Sequence, residues 1–182
     1  MRFLPFGLLA FVLSAAPVQA EKGFGLPTME PDTPLQALDS ASEARGWEAI
    51  GRLDTNVGYC TATLISNDLV LTAAHCLFGE TAQDRIPDSA LTFNAGLRDG
   101  ISVAQRSVRR SVIHPDYIYG EDVTDDRVRT DIALLQLDAP ITMAFVRPMA
   151  TRGQAVEGDI VEVVSYGRGR ENHASHEDDC AM

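Results

Sequence analysis

Cys60-Thr61-Ala62-Thr63-Leu64-Ile65-Ser66-Asn67-Asp68-Leu69-Val70-Leu71-Thr72-Ala73-Ala74-His75-Cys76 is the stretch on which the fold turns. Cys60–Ser66 and Leu69–Thr72 are short runs rich in Thr, Val, Leu and Ile, the residue types that suit a pleated, half-buried surface. Asn67-Asp68 between them reads as a tight turn, so the two runs predict a β-hairpin. Ala73-Ala74-His75-Cys76-Leu77 follows with small residues and no β-branching. After residue 47 it is the best place for a single helical turn.

Outward from this hairpin the texture repeats. Strands are expected near Glu48–Leu53, Leu91–Asn94, Ile101–Ile113, Ile132–Leu137 and Ile160–Ser165, with a second tight turn at Asp99-Gly100. Several short strands with turn signals and no long helix predict an all-β barrel or sandwich. Before Trp47 the pattern differs. Gly23, Gly25, Pro27, Pro31 and Pro34 mark residues 21–46 as a leader or linker, loosely docked, with a short helix expected within Leu35–Ala44. Residues 170–182 read as a polar tail.

The first twenty residues read as an export signal. Met1-Arg2 carries one positive side chain, Phe3 to Ala16 is mostly apolar, and Val18-Gln19-Ala20 offers a cleavage site before Glu21-Lys22. The apolar run is shorter than the ~20 residues that span a bilayer, so no membrane attachment is expected once the signal is removed. The expected location is the periplasm or the outside of the cell. A net charge of -11 argues against nucleic acid as a partner, because phosphate binding needs clustered Lys and Arg.

An exported chain meets an oxidising compartment. Its cysteines are Cys60, Cys76 and Cys180, an odd number, so at most one internal pair forms and one thiol is left over. A bridge between Cys60 and Cys76 would close a short loop and brace the backbone beside His75, an effect of about 3 kcal/mol by loop entropy.

Two elements carry chemistry. One is His75 at the end of the second strand. The other is Thr130-Asp131-Ile132-Ala133-Leu134-Leu135-Gln136-Leu137, an apolar strand with a carboxylate at its entry, 56 residues after His75. A charge beside such a strand is costly to bury unless something satisfies it, and an imidazole N–H is a fitting partner. Such a carboxylate holds the ring in one tautomer and stabilises its protonated form.

Thr72-Ala73-Ala74-His75-Cys76 resembles the histidine motif of the trypsin and chymotrypsin family of serine proteases, and Asp131-Ile132-Ala133-Leu134-Leu135 resembles its aspartate motif. Cys60 to Ser66 resembles the strand that opens the family's histidine-loop disulfide. Val112-Ile113-His114-Pro115-Asp116-Tyr117 resembles the approach to the aspartate loop. Val163-Val164-Ser165-Tyr166-Gly167-Arg168-Gly169 resembles the start of the second barrel, with Tyr166 where the family usually has Trp. The likeness runs from Trp47 to Gly169. It implies the first six-stranded antiparallel barrel of a two-barrel fold, His75 as general base, Asp131 as its orienting partner, a Cys60–Cys76 disulfide, and protein or peptide substrates.

The resemblance also calls for a nucleophilic serine in a Gly-Asp-Ser-Gly-Gly-type loop. After Asp131 only Ser165 and Ser175 occur, neither in such a loop. The expectation is therefore a chain that stops before the catalytic serine, with the second barrel largely missing and no activity of its own. The contrasting expectation is a secreted binding module that keeps the barrel as a scaffold. Arg45-Gly46-Trp47-Glu48 does not resemble the family's activated N-terminus. Cys180 is the odd thiol, and a bridge to another chain is one use for it. Glu121, Asp122, Asp125 and Asp126 read as a solvated acidic loop, and His173 and His176 with Glu177, Asp178 and Asp179 as part of the polar tail. No metal or other cofactor is expected.

Overall fold

The computed structural model describes residues 35–79, 81, 84–120, 124–151, 153 and 155–181. The expected export signal lies outside them. The strands are β1 (Gln36–Ala37), β2 (Ile50–Asp54), β3 (Tyr59–Ser66), β4 (Leu69–Thr72), β5 (Thr92–Ala95), β6 (Ala104–Ile113), β7 (Ala133–Leu137), β8 (Ile160–Gly167) and β9 (Arg170–Ala181). One α-helix, α1 (Asp125–Thr130), and two single 3-10 turns, Ala74–Leu77 and Asp88–Ala90, complete the described secondary structure.

Six strands close into an antiparallel barrel in the order β2-β3-β4-β7-β6-β5. Alternation builds it. Ala133, Leu135 and Leu137 of β7 point inward while Leu134 and Gln136 are less buried, and Ala62 and Leu64 of β3 point inward in the same rhythm. Leu53, Leu64, Val70, Leu77, Leu91, Phe93, Leu135 and Ile141 are sealed from solvent and form the interior. The β2–β5 pairing is close enough to require glycine at residue 51, since a Cβ there would run into the Phe93 ring and the Asn94 carbonyl.

The Asp99-Gly100 turn forms as its residues predict. Both have positive φ, 49° and 78°, and Arg98 and Ile101 exchange main-chain hydrogen bonds of 2.9 Å across it. The strand after it starts at Ala104 rather than Ile101, whose side chain stands in solvent. No helix among the described residues is long and apolar enough to cross a membrane.

Two sequence expectations are corrected. Arg170–Ala181, expected as part of a polar tail, is strand β9, which pairs with β8 on one side and β1 on the other. Ala174 and Ser175 are both buried, one on each face of the strand, so small residues take places where the sequence reading looks for large apolar ones. The region around Leu35–Ala44 holds strand β1 and one turn instead of a helix. Ser40 and Glu43 cap each other there, with Glu43 N–H donating to Ser40 Oγ and Ser40 N–H to Glu43 Oε2. Gly46, at φ 95°, follows that turn and leads out of it.

The β1-β9-β8 sheet is fastened to the barrel by polar and apolar contacts. Tyr59 Oη donates to the Gly167 carbonyl at 2.9 Å, Arg52 Nη1 donates to the Glu171 carbonyl at 2.9 Å, and Tyr166 N–H donates to Thr61 Oγ1 at 2.8 Å. Leu38, Ile50, Leu97, Tyr166 and Ala174 form a second small core at this seam. Tyr166 is buried there, its hydroxyl donating to the Leu97 carbonyl at 2.8 Å.

Gly51→Ala is expected to lower stability by about 1–3 kcal/mol, read from urea unfolding, because the added methyl overpacks a closed strand pair. Burial also pushes the Tyr166 hydroxyl up to about 12, so it stays neutral in the fold at a pH where the unfolded chain ionises. Its stabilisation is complete below pH ~10 and is lost as pH rises through about 12. An alkaline unfolding series should therefore show a fall on the order of 2 kcal/mol across this window, and Tyr166→Phe should flatten it.

Candidate active site

His75 sits in the 3-10 turn Ala74–Leu77, directly after β4. The turn is tied down at its neighbours. Ala74 and Leu77 are sealed in the core, and Thr72 Oγ1 donates to the Thr61 carbonyl at 2.9 Å. Cys76 is bonded to Cys60 of β3 with the Cα atoms 6.1 Å apart, so the turn is fixed covalently to the hairpin that precedes it. The expected pairing is the one present.

Asp131 arrives from the other side. Thr124 caps α1 by accepting the Arg127 N–H on Oγ1, and Asp125 and Asp126 occupy the first turn, where carboxylates favour the helix dipole. Asp131 is the residue that ends the helix, and β7 starts two residues later. The acidic cluster therefore divides. Asp125 and Asp126 start a helix, while Glu121 and Asp122 lie outside the described residues. The Thr-Asp-Asp run at 124–126 was a readable helix-start signal.

The two side chains meet. Asp131 Oδ2 accepts from His75 Nδ1 at 2.7 Å, and Asp131 Oδ1 accepts from the His75 main-chain N–H at 2.8 Å. Both carboxylate oxygens are thus committed to one residue, which fixes the ring plane as well as its position. With the proton on Nδ1, Nε2 carries the free lone pair. The His75 side chain is half exposed, at 51%, and that of Asp131 less so, at 21%. A reactant can reach the imidazole while the carboxylate stays shielded.

Tyr117 feels the charges of both Asp131 and Arg127, and the sequence reading assigns neither Tyr117 nor Arg127 a role at the site. Burial chiefly raises the Tyr117 hydroxyl above its ordinary range; Arg127 draws it down and the charge of Asp131 pushes it up.

Cys60 and Cys76 Sγ and a ring nitrogen of His75 lie within 4.8 Å of one another. While the sulfurs are bonded to each other neither is a thiolate, so this group is not a metal site. His176 of β9 packs on Trp47, ring centroids 5.4 Å apart, with its buried Nε2 3.6 Å from the exposed Glu162 carboxylate. Of Cys180 only the main chain in β9 is described. The one disulfide among the described residues is internal, and nothing in it supports a bridge to another chain. A cavity of about 210 Å³ at the barrel–sheet seam is lined by Leu38, Trp47, Leu97 and Tyr166, and neither His75 nor Asp131 borders it.

Comparison with known proteins places the chain in a family. The family described as Trypsin matches residues 39–180. Serine protease SP24D of Anopheles gambiae is 32% identical over 131 residues, covering 71% of this chain and 44% of the relative. Serine protease 7 of Drosophila melanogaster is 27% identical over 150 residues, covering 71% and 37% respectively. The vitellin-degrading protease of Bombyx mori is 28% identical over 116 residues, covering 62% and 40%. The chain spans less than half the length of each of these relatives. With the family matched over most of its residues, the chain belongs to the trypsin family of serine proteases.

Proposed function

We propose that the chain serves serine-type hydrolysis of peptide bonds in proteins or peptides, with His75 as general base and Asp131 as the residue that positions it. The observation that carries this reading is the 2.7 Å bond from His75 Nδ1 to Asp131 on a half-exposed ring, which makes Nε2 the nitrogen able to take a proton. In this chemistry a serine hydroxyl gives its proton to Nε2 as its oxygen attacks the peptide carbonyl. Asp131 stabilises the imidazolium that results, and the ring then protonates the leaving amine.

Neither serine after Asp131 is read as the nucleophile. Ser165 and Ser175 are paired opposite each other in β8 and β9, and Ser175 is 1% exposed. Neither resembles a loop that offers main-chain N–H groups to an oxyanion. On this reading the 182 residues bind no acyl group by themselves and need a serine-bearing segment from outside them. Export, read from residues 1–20, remains part of the proposal.

A second reading, a non-catalytic binding module, is favoured by one observation. Residues 170–181 are built into strand β9 instead of trailing from the barrel. The DNA that follows the codon for Met182 separates the two. A Gly-Asp-Ser-Gly-like segment in any frame decides for the protease, and its absence decides for the module.

The purified 182-residue chain is expected neither to turn over peptide substrates nor to label with a fluorophosphonate probe; covalent labelling of Ser165 or Ser175 would overturn their rejection as nucleophiles. In a chain joined to a serine-bearing second half, Asp131→Asn is expected to lower kcat about 10⁴-fold, because the wrong tautomer then dominates. A loss under tenfold would remove Asp131 from the mechanism.

A further inference from the structure

Peptide hydrolysis gives the Cys60–Cys76 bridge no role beyond bracing a turn, yet its placement is chemically specific. Cys76 Sγ lies 3.6 Å from His75 Nε2, the ring nitrogen opposite the one held by Asp131. Of the two sulfur-bearing residues, Cys76 is buried at 7% exposure and Cys60 is only partly buried. An incoming nucleophile therefore meets Cys60 first, and the sulfur expelled is the one beside the imidazole.

From this geometry we infer that Cys60–Cys76 is a redox-active disulfide opened by a dithiol, with Cys76 as the leaving thiolate and His75 as the group that receives it. A thiolate of the dithiol attacks Cys60 Sγ. A new S–S bond forms there, the Cys60–Cys76 bond breaks, and its electron pair leaves on Cys76 Sγ. Protonated His75 gives that sulfur its Nε2 proton or holds it as an ion pair. The second thiol of the dithiol, deprotonated, then attacks the dithiol sulfur of the mixed disulfide. This closes a cyclic disulfide and expels Cys60 as a thiolate, which takes a proton from water. The dithiol loses two electrons and the protein bridge gains them.

Leaving-group stability speeds exchange, and a cationic neighbour stabilises a thiolate. Asp131 holds the ring through Nδ1, so it is Nε2 that is turned toward Cys76 Sγ. The same contact links redox state to the dyad. Once Cys76 is a free thiolate, it occupies the nitrogen that a general base would use. The inference rests on the placement of His75 and Asp131 and holds whether or not the chain takes part in peptide hydrolysis.

The test uses the full chain carrying Cys180→Ser, so that only this pair reports. Reduction by dithiothreitol is followed under native conditions at pH 6 by acid quench and mass spectrometry. His75→Asn is expected to slow reduction at least tenfold, whereas a variant that merely loosened the turn would be reduced faster. An unchanged or faster rate in His75→Asn overturns the inference. A second measurement needs no substitution at His75. One-step opening by glutathione, trapped with iodoacetamide, is expected to leave glutathione on Cys60 and the alkyl group on Cys76. Glutathione found mainly on Cys76 overturns it equally.

Discussion

Every chemical reading of this molecule depends on one constraint, the double acceptance by Asp131 of the His75 ring N–H and the His75 main-chain N–H. A single ring bond would leave the imidazole free to swing about Nδ1. The second bond fixes the backbone from which the ring projects. A shielded carboxylate is costly without partners, and here both partners come from the residue it serves. The constraint is strong because neither residue lies on a free loop.

The barrel brings this about through strand register. β4 and β7 are antiparallel neighbours with Thr72 opposite Ala133. The chain leaving β4 and the chain entering β7 therefore lie at the same end of the barrel. His75 comes three residues after Thr72, and Asp131 two before Ala133. Pairing of two apolar strands thus juxtaposes two polar residues 56 positions apart. The Cys60–Cys76 bridge fixes the 3-10 turn from the β3 side, and α1 delivers Asp131 from the other. Contacts that seal Leu64, Val70 and Leu135 in the core also aim the site.

Much of this was legible in the sequence because it is carried by alternation and by turn chemistry. The β3–β4 hairpin, the Asp99-Gly100 turn, the helical turn at His75 and the strand after Asp131 all follow from residue type and spacing. What escaped was structure that comes from pairing alone. Strand β9 has Arg, Glu, Asn and His along its length and buries Ala174 and Ser175, so nothing in its composition announces a strand. Its backbone is held between β8 and β1, and its contacts with Arg52 and Tyr59 are long-range. Strand β1, of two residues, is invisible for the same reason. The pairing of His75 with Asp131 was legible through resemblance, whereas the approach of Nε2 to Cys76 Sγ is a matter of ring orientation that no spacing encodes.

The histidine thus has two chemical faces, one held by a carboxylate and one turned toward sulfur, and which nitrogen carries the proton decides what each can do. Long-range ¹⁵N–¹H correlation of the imidazole, recorded at a pH where the His75 ring is neutral, reads this directly. A proton resident on Nδ1 with Nε2 unprotonated, shifting toward the other tautomer in Asp131→Asn, is the predicted result. A ring protonated on Nε2 in the unaltered chain, or one whose tautomer ignores the loss of the Asp131 charge, would contradict it.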